Sequence, residues 1–404
     1  MSASSEMARM NVSRRRMLKL VGGFVVAGSA GMTVGPAHAA GKDPIKIGLS
    51  AAFSGPNAKA GESMQRGAEL AIEEINKAGG VLGRELVMIT RDNEHKLDRG
   101  VAQTRELIER EGCVAILGSQ GSFIGLAVID TIHELRVPWF ALSVGGVGII
   151  ENNRKPNYMF RVATNDREVA KFLVNYGLDK VGTKKFAILN EDSGWGVPAI
   201  DDLKAALKSR NLEPVAVDKM KVGDTDFTPQ MLRAKNSGAD TIASFSNAVE
   251  MANALKGGNK IGYKPRVVSA WGLANPTFPS LAGPLSEGVM VMQTFTFVNN
   301  RRPKAQALLK RYIEKYKDVK GPVEVSFPSY VGNSYDATHM IALAIGKAES
   351  TEGPKVHAAL ENLGTYDGLI KRYSNPFSPD RHEALSPDDY MMTIWKGSRL
   401  ELIG

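Results

Sequence analysis

Cysteine is nearly missing from this chain of 404 residues: Cys113 stands alone. That excludes a disulfide framework, a cysteine zinc site and an iron–sulfur cluster within the chain. With no cysteine near the N-terminus, a lipid anchor there is excluded too. Aromatic residues are sparse at 7%. Concentrated charge is also missing. The formal charge is +8, but residues 1–39 hold +4 of it, from Arg9, Arg14, Arg15, Arg16 and Lys19 against Glu6. The remaining +4 is spread thinly with no basic run, so nucleic acid is not expected as a partner. No apolar segment reaches the ~20 residues a membrane-spanning helix needs. What is present, 43% hydrophobic and 23% charged residues, describes a water-soluble globular protein long enough for two or three domains.

The first 39 residues read as an export signal. Ser13-Arg14-Arg15-Arg16-Met17-Leu18-Lys19 is a basic n-region, Leu20 to Val34 an apolar, Gly-rich stretch, and Pro36-Ala37-His38-Ala39 a small-residue cleavage site. The apolar stretch is too short and too interrupted by glycine to serve as an anchor. The n-region resembles the twin-arginine export signal, although Met17 stands where that pattern prefers phenylalanine; the general route stays open. The expectation is a bacterial periplasmic protein, soluble, cleaved near Ala39.

Beyond the signal, apolar runs and helical periodicities alternate. Ile45–Leu49 reads as a strand, followed by a loop at Ser54-Gly55-Pro56-Asn57 and a helix from about Ser63 to Ala78 with Met64, Ala68, Ala71, Ile72 and Ile75 in phase. Leu86–Thr90 and Val114–Leu117 read as strands with a helix from Asp98 to Gly112 between them. Ser122–Leu135 reads as one helix and Pro138–Leu142 as the next strand. The alternation restarts at Phe186–Leu189 and runs through helices at Val197–Leu207, Phe227–Ala234 and Ala248–Leu255 and strands at Val215–Val217, Thr241–Phe245 and Val267–Ser269. Such alternation implies an α/β protein with parallel sheets covered on both faces, and its restart implies two lobes. Ligands in open parallel sheets bind beyond the carboxyl ends of the strands, so two facing lobes make a cleft. After Gln293, helices at Lys304–Tyr316 and Ser334–Ala348 precede an irregular stretch with Pro376, Pro379 and Pro387, then a last strand at Met391–Trp395.

Catalytic signatures are missing. Among His95, His133, His339, His357 and His382, none lies within four residues of another, so no local metal-ligand spacing exists. His133 falls on the polar side of its helix and is expected in solvent. There is no phosphate-binding lysine loop and no nucleophile elbow, and Gly145-Gly146-Val147-Gly148 lacks the spacing of a dinucleotide fingerprint. No catalytic residue, metal or cofactor is expected.

Ser54-Gly55-Pro56, Gly61, Gly67-Ala68-Glu69-Leu70-Ala71, Glu74-Ile75-Asn76, Gly79-Gly80 and Gly83 resemble the opening signature of the leucine/isoleucine/valine-binding, or type I periplasmic binding protein, family of ABC-importer receptors. Ile116-Leu117-Gly118-Ser119, Pro138, Phe160-Arg161, Glu287-Gly288-Val289 and Tyr335-Asp336-Ala337 continue the resemblance from residue 44 onward. It implies two Rossmann-like lobes joined by three hinge crossings, near Val162, Gln293 and Leu369. Lobe 1 would comprise 44–161 and 294–368, and lobe 2 162–293 and 369–404. The lobes would close on a small molecule by population shift, and the closed form would dock, as a monomer, on an ABC permease at the inner membrane.

Carried over to this sequence, the resemblance puts Ser122 where the family holds a ligand carboxylate beside free N–H groups at a helix start; its alternative role is a helix N-cap. Gly145 and Gly146, with Val147, stand in the loop that gives backbone contacts. Trp195, in Glu191-Asp192-Ser193-Gly194-Trp195-Gly196, stands where a tyrosine is usual, and Asn247 or Ala248 where another often sits. Trp271 occupies the place of the glutamate that receives the ammonium of amino-acid ligands. Ala60 replaces a bulky aromatic, and Tyr330 is a candidate wall of lobe 1, or equally a core or surface residue. Because an indole neutralises an ammonium less well than a carboxylate does, the expected ligand is a carboxylate without a free α-amino group, an aromatic or bulky acid. Branched-chain amino acids and amide-like solutes are the alternatives. A ligand sensor of the same fold and an exported α/β enzyme are the competing functions.

Overall fold

The computed structural model describes residues 43–403, and the export signal read from residues 1–39 lies outside them. Two parallel-sheet layers organise the chain. The first is built from β1 (Ile45–Ala51), α1 (Ala58–Lys77), β2 (Leu86–Asp92), α2 (Leu97–Glu109), β3 (Ile116–Gly118), α3 (Ser122–Ala127), α4 (Ile129–Leu135), β4 (Trp139–Ala141), α5 (Val147–Ile150) and β5 (Met159–Arg161). Its strands lie in the order β2-β1-β3-β4-β5, all parallel, with β1 paired to β2 from Ile45–Leu86 to Ala51–Asp92.

The chain then passes through α6 (Asp166–Tyr176) into β6 (Phe186–Asp192), α7 (Gly196–Lys208), β7 (Ala216–Lys221), α8 (Thr228–Asn236), β8 (Thr241–Ser244), α9 (Ala248–Lys260), β9 (Arg266–Ser269), α10 (Thr277–Ala282) and β10 (Met290–Gln293). It turns back through α11 (Pro303–Lys315), α12 (Pro328–Ala348), α13 (Gly353–Glu361) and the hairpin β11 (Thr365–Asp367) and β12 (Arg372–Ser374). It ends in β13 (Met391–Lys396) and β14 (Arg399–Leu402). The second sheet has seven strands in the order β14-β13-β10-β9-β8-β6-β7. Its last two join antiparallel, so this sheet is mixed rather than purely parallel. β13 and β14 are joined by a tight turn at Gly397-Ser398, where parallel pairing would need a crossover.

α1 and α12 pack almost backbone to backbone: a Cβ on Gly67 would lie 2.3 Å from the Val331 carbonyl oxygen. A buried stripe of Met64, Ala68, Ala71 and Ile75 turns α1 inward. The segment after β12 returns to the first sheet: Arg161 N–H donates to the His382 carbonyl at 2.8 Å, and Ala384 N–H to the Arg161 carbonyl at 2.9 Å.

Several elements depart from the sequence reading. The helix read as Ser122–Leu135 is two short helices that meet at Val128. α1 starts at Ala58 and α12 at Pro328, before the periodic residues begin; α12 has Pro at its first position, which suits a helix start. The sequence reading holds no counterpart of strands β5, β10, β11, β12 and β14 or of helices α5, α6, α10 and α13; β5 and β10, for example, are only three and four residues long, too short for a period to show. His133 is half-buried rather than solvated, its Nδ1 2.7 Å from the Ile129 carbonyl and its Nε2 3.3 Å from Tyr158 N–H. Among the described residues, no helix is long and apolar enough to cross a membrane.

Candidate functional site

The parallel strands end on a partly open cavity of about 60 Å³. Every strand that reaches it does so with its carboxyl end. Asn57 and Ala60 follow β1, His95 follows β2, Gln120 and Ser122 follow β3, and Ser143 and Val144 follow β4. From the second sheet, Glu191 ends β6, Ser193 and Trp195 follow it, Asn247 follows β8 and Trp271 follows β9. Phe327 and Tyr330 come from the start of α12. At ~10–15 Å³ per water position, the cavity has room for about four to six waters, roughly 120–180 Å³ of liquid at ~30 Å³ each. That is the size of a compact acid with one ring or one branched chain.

The first-sheet wall is small and polar, and hydrogen bonds hold it in place. Gln120 Oε1 accepts from Ala52 N–H at 2.7 Å and its Nε2 donates to the Asn57 carbonyl at 3.2 Å, joining the β1 and β3 loops. Ser143 Oγ donates to the Ser119 carbonyl at 3.0 Å. Ser122 opens α3, whose N-cap is Gly121 at φ +83°, a left-handed conformation that glycine adopts without strain. Ser122 Oγ does not cap its own helix. It accepts from Gly146 N–H at 3.2 Å, which leaves its O–H free to donate.

The second-sheet wall is aromatic. The Trp195 and Trp271 ring centroids are 5.2 Å apart, and Phe245 lies edge-on to both. Trp195 Nε1 donates to Asp166 Oδ1 at 3.2 Å. Burial pushes Asp166 up to about 7, against the pull of Trp195 and Arg161. Tyr330 stacks on Phe327 at 4.8 Å, with planes 4° apart.

Of the residues singled out in the sequence, Ser122, Trp195, Asn247, Trp271 and Tyr330 line the cavity together. Gly145 and Gly146 do not; they sit one layer behind. The Gly145 and Gly146 carbonyls accept from the fully buried Arg161 guanidinium at 2.7 and 2.9 Å. A Cβ on Gly145 would strike Asp166 Oδ1 at 2.1 Å and approach the Trp271 ring to 3.0 Å, so this position needs glycine for space.

Sequence reasoning missed several cavity residues, among them Gln120, Ser143, Glu191, His95 and Phe327. Glu191 is 6% exposed; its Oε2 accepts from Asn247 N–H at 3.1 Å and Nδ2 at 2.7 Å. Burial, then the charge of Glu250, raises it above the usual carboxylate range. A carboxylate therefore stands in the cavity although Trp271 occupies the expected acidic place. His95 and Phe327 are non-glycine residues at φ +59° and +43°, a strain that persists where surrounding structure enforces it. Among the described residues, none is a hydrogen-bond partner of the buried His95 Nδ1, and burial lowers the affinity of this ring for a proton. Neither φ values nor spatial neighbours are written in a one-dimensional pattern. A sequence signal did exist for Glu191, which opens the same Gly-flanked segment as Trp195.

A family profile described as periplasmic binding protein matches residues 44–396. The chain belongs to the periplasmic binding protein family, type I. This binding protein is 26% identical to Leu/Ile/Val-binding protein homolog 3 of Brucella melitensis over 79% of this chain and 83% of that one. It superposes on the periplasmic binding protein type 1 from Bordetella pertussis with a TM-score of 0.80 at 27% identity, covering 89% of this chain and 100% of that one. It also shares its fold with an ABC-transporter solute binding protein from Rhodopseudomonas palustris HaA2 crystallised with p-hydroxybenzoic acid: TM-score 0.76, 21% identity, 90% and 96% covered.

Proposed function

We propose that this binding protein captures a small aromatic carboxylate in the cavity between its two sheets and presents it, as a periplasmic monomer, to an ABC permease. The observation that carries the reading is the pairing of Trp195 and Trp271, 5.2 Å apart, in the same cavity as Ser122 with its O–H free to donate. The hydroxyl holds the carboxylate, and the indoles cover a ring. A charge-assisted hydrogen bond of about 1.5–3 kcal/mol together with ring burial of about 1.5–3 kcal/mol accounts for much of the roughly −8 kcal/mol that micromolar binding requires. The Rhodopseudomonas protein holds p-hydroxybenzoic acid on this fold. The crossings near Val162, Gln293 and Leu369 act as the hinges of closure.

Glu191 favours a second reading. A buried carboxylate in the cavity, raised toward its neutral form, gains stability by meeting an ammonium, as a branched-chain amino acid would offer. The Brucella relative carries a Leu/Ile/Val-binding name. Against it, Glu191 Oε2 is already taken by Asn247. Calorimetry on the mature protein against benzoate, a phenylpropenoid acid, leucine and valine separates the two. Micromolar binding of an aromatic acid with none of leucine supports the first reading; leucine binding without aromatic-acid binding replaces it with the second.

A further inference from the structure

A second cluster lies at the N-terminal end of β5, away from the strand ends that line the cavity. His357 and Glu361 are one turn apart on α13, and His382 comes from the segment that returns to β5. His382 is 2% and His357 5% exposed, while Glu361 keeps an edge in solvent. His382 packs flat on Phe160, with centroids 4.1 Å apart.

His382 Nδ1 lies 2.9 Å from the Met159 carbonyl. A carbonyl only accepts, so Nδ1 carries a proton, and Nε2 faces Glu361 Oε1, 3.2 Å away. His357 Nε2 lies 3.5 Å from the same oxygen and 3.0 Å from the Asn157 carbonyl. Among the described residues, no lysine or arginine forms an ion pair with Glu361; its partners are the two imidazoles. A proton or a metal ion between His382 Nε2 and Glu361 Oε1 satisfies both atoms.

We propose that His357, Glu361 and His382 form a divalent transition-metal site, suited to Zn²⁺, that fastens the returning segment to β5. Bonds of about 2.0–2.1 Å in a tetrahedron put neighbouring ligand atoms about 3.3 Å apart. The observed 3.2 and 3.5 Å bracket that edge, and the three donor atoms all lie within 4.8 Å of one another. The Met159 carbonyl fixes the tautomer of His382, as partners of metal-bound imidazoles do. The Asn157 carbonyl lies 3.0 Å from His357 Nε2. Metal binding at His357 Nε2, which faces the Asn157 carbonyl, requires the ring proton to stand on Nδ1. Tyr158, His133 and Arg136 are the other titratable or charged neighbours.

The test uses mature, tag-free protein stripped with a chelator and dialysed. Elemental analysis after Zn²⁺ addition should give one zinc per chain. The melting temperature should rise saturably by several degrees with Zn²⁺ but not with Mg²⁺. His382→Gln and the near-isosteric Glu361→Gln should each lose both effects, whereas His133→Gln should keep them. No zinc uptake overturns the proposal and leaves a shared proton in its place, as does zinc uptake that survives both variants.

Discussion

Two aspartates in this protein are fully buried, and they are treated very differently. Asp336, on α12, accepts from Leu369 N–H at 2.6 Å, Ile370 N–H at 3.0 Å, Tyr366 Oη at 3.1 Å and Tyr373 Oη at 2.8 Å. Asp166, at the start of α6 behind the cavity, accepts one side-chain bond, from Trp195. Burial raises both from the ordinary carboxylate range. Asp336 has donors on both oxygens and ties the β11–β12 hairpin to the scaffold. Asp166 is sparsely met and sits at about 7, next to an indole of the site. Hydrogen-bond satisfaction, more than depth, separates a carboxylate that fastens the fold from one poised to titrate beside a ligand.

The most severe way to break this comparison is Asp336→Ala. Four donors lose their acceptor in a dry interior, so the variant should lose about 3–5 kcal/mol, read as a large fall in denaturant midpoint. A loss under ~1 kcal/mol would mean that water replaces the carboxylate there.

Asp166→Asn sharpens the contrast through pH. The folded-state value of about 7 lies above the ~3.9 of an unfolded aspartate. Folded protein therefore holds a proton that unfolded protein releases between about pH 4 and 7. Wild-type stability from this group is full below pH ~4 and is lost as pH rises through 7. The asparagine variant lacks that loss. Its stability relative to wild type should grow by about 2–4 kcal/mol from pH 4 to pH 8. A flat difference across denaturation curves at several pH values would remove the distinction between the two aspartates.

Trp195→Ala takes away both the partner of Asp166 and one face of the cavity. Ligand affinity should fall about 10–100-fold by calorimetry with whichever acid the panel identifies. Ser122→Ala is the mildest change. It should cost about 1–2 kcal/mol of affinity for a carboxylate and leave the melting temperature within ~2 °C of wild type.

Much of the architecture was legible because it is periodic. Met64, Ala68, Ala71 and Ile75 mark one helix face, and the β–α alternation required parallel sheets. Tyr335-Asp336-Ala337 was visible as a motif, but its task of holding the hairpin depends on four donors about 30 or more residues further along the chain. Short strands such as β5 carry too few residues to show a period. Ser122, Trp195 and Trp271, which the resemblance to the family singled out, line the cavity. It was not legible at His95 or Phe327, whose left-handed backbones are imposed by their surroundings.

By itself, the sequence determined the alternation of elements and the restart that makes two sheets, because these are local patterns of side-chain chemistry; the loops at Ser122, Trp195 and Trp271 stood out only through resemblance to the family. Only the tertiary structure decided that Glu191 enters the cavity, that Gly145 and Gly146 stand behind it under Arg161, and that His357, Glu361 and His382 meet. Contacts between distant segments depend on how whole layers pack, and no spacing along the chain encodes a distance across the fold.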